Sequence, residues 1–139
     1  MNNFKDNKKA KIIALVLVVA LSLVFIGVGI ALSVKDNSYD GTVYTGTSYD
    51  KRVEPYETYD YKFTCYISGD YYIYYSGASY LTVNDADNNN RLYLNNTNNS
   101  SFNGQYFGLC KKVYLYSGNE YVISFRTNST ELSFILVRE

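Results

Sequence analysis

The sequence predicts an all-β fold, an antiparallel β-sandwich of seven or eight short strands with a jelly-roll-like course, preceded by one N-terminal transmembrane α-helix. Three observations lead there. After Val34 the apolar residues alternate with period two, and no 3.6-residue pattern appears. Strand starts recur about every 9 to 12 residues, the rhythm of a sandwich. A content of 17 Tyr and 7 Phe against a single Pro suits pleated, half-buried surfaces.

The helix is read from residues 12–34, IIALVLVVALSLVFIGVGIALSV, which are 23 positions without a charge. At ~1.5 Å per residue such a helix is about 34 Å long and crosses a hydrocarbon core of about 30 Å with slight tilt. A cleaved leader is the alternative, since Ala31-Leu32-Ser33 offers small residues for a signal peptidase. The apolar run exceeds the roughly 7 to 15 residues usual for a leader, which favours an uncleaved signal anchor. Lys5, Lys8, Lys9 and Lys11 precede the run and Lys35 alone follows it. That asymmetry keeps residues 1–11 in the cytoplasm as a basic tail and exports the rest, giving a single-pass protein of the cell membrane. Gly27 with Ala31, and Gly29 with Ser33, form small-xxx-small pairs through which two helices can touch, so a homo-oligomer stays open.

Residues 35–56 are polar, carry the only Pro, Pro55, and read as a stalk with one early strand over Thr42–Thr47. Residues 57–139 carry the sandwich. Tyr59, Tyr61, Phe63 and Cys65 share one face of a strand, with Asp60, Lys62 and Thr64 on the other. After a turn at Ser68-Gly69-Asp70, Tyr71–Ser76 places Tyr71, Ile73 and Tyr75 on one side and Tyr72 and Tyr74 on the other. Tyr80–Asn84 and Arg91–Asn95 follow, joined by the polar run 85–90. Lys111–Tyr116 and Glu120–Phe125 read as a hairpin around Ser117-Gly118-Asn119, and Thr130–Arg138 is the final strand. The predicted core holds Tyr61, Phe63, Ile73, Val83, Leu92, Leu94, Val113, Leu115, Ile123 and Phe125.

Several function classes drop out. The chain has no His, which removes His-based triads, His general bases and His metal ligands. From Asp36 onward eight Lys and Arg stand against twelve Asp and Glu, a net of −4, so no basic footprint for nucleic acid exists. Two isolated Cys and scattered carboxylates make no catalytic constellation, and about 100 residues leave little room for an enzyme's cleft. No enzyme activity and no cofactor are expected.

Asp85, Asp87 and Asn89 have the odd spacing of a calcium loop. An EF-hand would need Gly at position 90 and Glu at position 96, where Asn90 and Asn96 stand. A turn capped by Asp and Asn side chains is the favoured reading and calcium the weaker one. The sequons at Asn95, Asn98, Asn99 and Asn128 mark exposed loops.

Two further expectations follow. Cys65 and Cys110 permit one intramolecular disulfide, which oxidising surroundings outside the membrane would favour over two buried thiols. If the predicted core is right, alternation turns Tyr72, Tyr74, Tyr114 and Tyr116 outward. Should their strands be neighbours, the four rings form one exposed aromatic patch for a sugar or an extended protein partner. The alternative is that cross-strand Tyr pairs merely stabilise a solvated sheet.

From Tyr59 on, the chain resembles the bacterial pre-peptidase C-terminal type of domain, a small jelly-roll sandwich of secreted proteins. The likeness lies in Tyr-Asp-Tyr-Lys-Phe-Thr at 59–64, Ser-Gly-Asp-Tyr-Tyr-Ile-Tyr-Tyr at 68–75, the hairpin Leu81–Leu94, the stretch Leu115–Ile123 and the end Leu132–Val137. Members act as binding or accessory modules, so the resemblance implies a binding module on a bacterial cell surface, with wall glycan or a surface protein as ligand. A structural or accessory subunit of a membrane complex is the alternative. This chain departs from the type by following a membrane segment directly and lacking an attached enzyme.

Overall fold

The computed structural model describes residues 38–139, and every regular element within them is a strand. The expected basic tail 1–11, the transmembrane helix 12–34 and its small-residue pairs lie outside the described residues. The folded unit runs from Tyr39 to Glu139.

In chain order the first strands are β1 (Gly41–Thr42), β2 (Ser48–Arg52), β3 (Thr58–Thr64), β4 (Gly69–Ser76) and β5 (Ala78–Asp85). They are followed by the two-residue strands β6 (Asn95–Asn96), β7 (Ser101–Phe102) and β8 (Gln105–Tyr106). Three long strands end the chain: β9 (Leu109–Leu115), β10 (Glu120–Thr127) and β11 (Glu131–Arg138). One sheet has the order β1-β3-β10-β5, the second β2-β11-β4-β9-β6, and β7 with β8 forms a small ribbon. All pairings are antiparallel except β1 with β3.

The predicted alternation is what builds the sandwich-like core. Tyr61, Phe63, Val83, Ile123 and Phe125 of the first sheet are buried together with Tyr71, Ile73, Tyr75, Val113 and Leu115 of the second. Rings interlock at its centre: Phe125 lies 4.6 Å from Phe134, and Tyr61 lies 4.8 Å from Phe134. Fully burying one such side chain contributes roughly 1.5–3 kcal/mol relative to leaving it exposed.

Four expectations change. Thr42–Thr47 is not a strand: the chain turns at Thr45-Gly46, with β1 before and β2 after. The segment read as a stalk therefore joins both sheets, and its Val43 and Val53 lie in the core. Polar composition misled there, because a segment with two short strands needs only a few inward residues, here Val43 and Val53 just after β1 and β2.

The expected hairpin of β9 and β10 is absent. β9 pairs with β4 and β6, whereas β10 pairs with β3 and β5 in the opposite sheet. Ser117-Gly118-Asn119 is thus an arch between sheets. Its amides are met by other segments, Gly118 N–H donating to Cys65 O at 2.8 Å and Asn119 O accepting from Cys65 N–H at 3.0 Å.

Arg91–Asn95 is no continuous strand either. It touches β5 through a bridge between Asn84 and Arg91 and the Leu92 N–H donating to Val83 O at 2.8 Å. The chain then crosses to the other sheet, where Asn95 pairs with Lys112. A second crossing, from β4 to β5, is made by Gly77 alone, at φ 80°.

Candidate ligand-binding cleft

The tyrosines expected to form one patch do lie on one face of adjacent strands. In the β4–β9 register, Tyr72 is opposite Lys112, Tyr74 opposite Cys110 and Asp70 opposite Tyr114. They do not make one exposed surface. Tyr74 is only 5 % exposed, covered by Phe102 and Phe107 of the segment that carries β7 and β8, and packed with Cys110 and Ile135 in a second small core. Asn99 Nδ2 donates to the Tyr74 hydroxyl at 3.2 Å. Tyr72 is half-buried beside it, its hydroxyl donating to Glu139 Oε2 at 3.0 Å.

Tyr114 and Tyr116 form a separate exposed pair with centroids 5.0 Å apart. Between the two pairs sits the ion pair of Lys112 with Asp70, at 2.7 Å. The hydrogen bond to Asp70 holds the Lys112 ammonium above the usual lysine range. A charged pair therefore divides the aromatic face.

The two cysteines are free and buried. Cys65 lies in the main core, Sγ 3.3 Å from Ile67 O and 3.6 Å from the Tyr71 hydroxyl. Cys110 lies in the second core, and alternation along β9 turns it away from the inward-facing Val113. The second sheet stands between them, so the expected disulfide does not form. Burial pushes the Cys110 thiol above its ordinary range.

The Asp85 loop is a capped turn. Asp85 Oδ1 accepts from the amides of Asp87 at 3.0 Å and Asn88 at 3.3 Å, and Asn88 Oδ1 accepts from Asn90 N–H at 2.9 Å. Of the side chains that the calcium reading assigned to an ion, Asp85 turns Oδ1 to backbone amides and Asn89 Oδ1 accepts from Asn84 Nδ2 at 3.2 Å. Among the described residues no group of three or more acidic or Cys side chains is placed to hold a metal.

A concavity lies where the chain crosses between sheets after β5. It encloses about 420 Å³, within the span of small-ligand sites. Its floor is Tyr75, Leu81, Leu92 and Leu94, and its rim carries Tyr80, Tyr93, Arg91 and Lys111. The floor follows from alternation: Tyr75 and Leu81 face inward, and Leu92 and Leu94 pack against the core. The same parity sends Arg91 and Tyr93 outward. Tyr80 is 47 % exposed and Tyr93 83 %.

Arg91 is placed by aromatic contact, its guanidinium carbon 5.0 Å from the Tyr80 ring centroid. Lys111 reaches the Asn96 side-chain oxygen. The lining holds two cations and no carboxylate, on a unit whose overall balance is acidic. Tyr80, Arg91, Tyr93 and Lys111 were not singled out by the sequence. The pattern Arg-Leu-Tyr-Leu at 91–94 carried half of the signal, since leucines inward imply Arg91 and Tyr93 outward.

No protein-family model matches the chain, and no curated protein matches it.

Proposed function

We propose that this chain is a non-catalytic binding module with jelly-roll topology, held by a single-pass N-terminal anchor on the outer side of a bacterial cell membrane. The observation that carries the binding role is the cleft. Between β5 and the 91–96 crossing the two sheets leave a hollow with aromatic and cationic side chains on its rim and no carboxylate in its lining. Aromatic rings with a few placed polar groups are the usual furniture of a ligand site.

Jelly-roll topology is supported by strand order: β2-β11-β4-β9 in one sheet and β3-β10-β5 in the other, with successive strands alternating between sheets. The anchor is supported by the uncharged run 12–34 and the lysines before it. The ligand class is a wall glycan or a surface protein, as for the accessory modules that the strand patterns from Tyr59 on resemble.

The test uses the full chain in detergent micelles, incubated with isolated cell walls and with surface-protein extracts. Retention that is lost in Tyr93→Ala, with an unchanged melting curve, supports the reading. Equal retention of the variant, or none of the parent chain, removes the cleft as the binding site. A reporter fused after Glu139 checks the orientation, and cytoplasmic activity of that fusion would overturn the exported placement.

A further inference from the structure

We infer that the cleft binds a saccharide bearing a carboxylate, with Arg91 and Lys111 taking the acid group and the rim tyrosines taking the ring. This rests on the binding-module reading and narrows its ligand.

Among the described residues the ion pairs are Lys62 with Glu120 and Lys112 with Asp70, so Arg91 has no carboxylate partner. Its guanidinium is held over the Tyr80 ring instead. A cation–ring contact uses none of the guanidinium's N–H donors, so their fork stays available to a carboxylate. Lys111 adds a second positive charge to the same lining and is bonded only to the neutral Asn96 side chain. Two cations without a counter-charge raise each other's energy, and an anion entering between them relieves that repulsion.

The backbone edge at the cleft suits a sugar better than an acidic peptide. A peptide would dock on the free edge of β5 by adding a strand. That edge is largely occupied: Val83 O accepts from Leu92 N–H at 2.8 Å, and Asp85 N–H donates to Asn90 O at 2.9 Å. Alternation leaves the N–H and C=O of Leu81 as the next edge pair facing the cleft, too short a stretch for a strand but suitable for one or two sugar hydroxyls. The exposed Tyr93 ring presents a negative face to the C–H bonds of a pyranose.

The experiment is calorimetric titration of the full chain in micelles with trigalacturonate, a hyaluronan tetrasaccharide and 3'-sialyllactose, each beside its carboxyl-reduced counterpart, and with pentaglutamate. At least one acidic sugar is expected to bind about tenfold or more tightly than its reduced form, the effect of a charge-assisted hydrogen bond. Arg91→Gln, an exposed substitution, should erase that preference, Lys111→Gln should reduce it, and Tyr93→Ala should weaken acidic and reduced forms alike. Equal binding of both forms, a preference unmoved by Arg91→Gln, tighter binding of pentaglutamate, or no binding of any of the three sugars would overturn the inference. If wall retention sensitive to Tyr93→Ala persists in that last case, the binding module stands and only its acidic sugar ligand falls. If retention is absent as well, both fall.

Discussion

Phe107 covers Tyr74, with ring centroids 6.0 Å apart, on the side of the second sheet facing away from the main core. A sheet face that is ordinarily solvated thus becomes a second interior, sealed by a loop. Phe107 is only 2 % exposed, so truncating it removes a full aromatic burial.

Phe107→Ala should cost about 3 kcal/mol of unfolding free energy, read from urea melts. Because Cys110 lies under the same cover, its thiol should become reactive to alkylating agents in the native variant while Cys65 stays protected. Equal protection of both thiols would mean that the loop is not the lid of Cys110.

Both thiols should be reduced in the purified protein. Denaturation with an alkylating agent and no reductant should add two labels per chain by mass spectrometry, and reductant should leave the melting temperature unchanged. A fraction that stays unlabelled without reductant and takes up two labels only after reduction would contradict the separation of Cys65 from Cys110 by a sheet.

Gly77→Ala should prevent stable folding. A Cβ there would sit 1.8 Å from the Glu131 carbonyl oxygen, on a backbone at φ 80°. Gly46 has a similar φ of 78° but nothing within 4 Å of its would-be Cβ, so Gly46→Ala should lose only about 1–2 kcal/mol. Comparable losses in the two variants, compared by chemical denaturation, would show that φ and not the close approach governs position 77.

Alkaline pH should unfold the domain through its buried phenols. Burial raises Tyr61 to about 12, with the Asp40 charge adding to it, and burial with the Cys65 contact raises Tyr71 to about 12. An acid whose folded pKa lies above its unfolded value of about 10 is kept neutral by the fold. Its contribution is therefore complete below pH about 10 and is lost as pH rises towards 12. The Tyr61 hydroxyl is buried without a hydrogen-bond partner, whereas the Tyr71 hydroxyl donates to Ile67 O at 2.7 Å. Tyr61→Phe should leave neutral-pH stability unchanged or improve it, and Tyr71→Phe should lose about 1 kcal/mol. Both should flatten the alkaline loss. Steeper loss in either variant would reverse the assignment.

How far the sequence could be read depended on whether the deciding contacts were local. Tyr61, Phe63 and Cys65 were legible as an inner face because their neighbours Lys62 and Thr64 are polar. Tyr74 was misjudged because parity reports only that it faces away from Ile73, and what covers it is brought by Phe102 and Phe107 from far along the chain. Ser117-Gly118-Asn119 has turn chemistry that serves a hairpin and an arch equally, and only the pairing of Tyr121 with Phe63 and Asp85 decides for the arch. Arg91 and Tyr93 could be read as outward, but their meeting with Tyr80 and Lys111 depends on a crossing between sheets. Periodicity has no means to report that crossing.

The place of β11 between β2 and β4 bears on how the protein is made. Its neighbours pair with it through contacts such as Glu131 with Arg52, from opposite ends of the folded unit. Closing so long a loop is slow, and until it closes β2 and β4 each present a bare edge. A chain halted before Glu131 would also lack Leu132, Phe134 and Leu136 from its interior. Such a fragment is a substrate for proteases and a seed for edge-to-edge aggregation, so folding has to wait until the whole segment has been delivered.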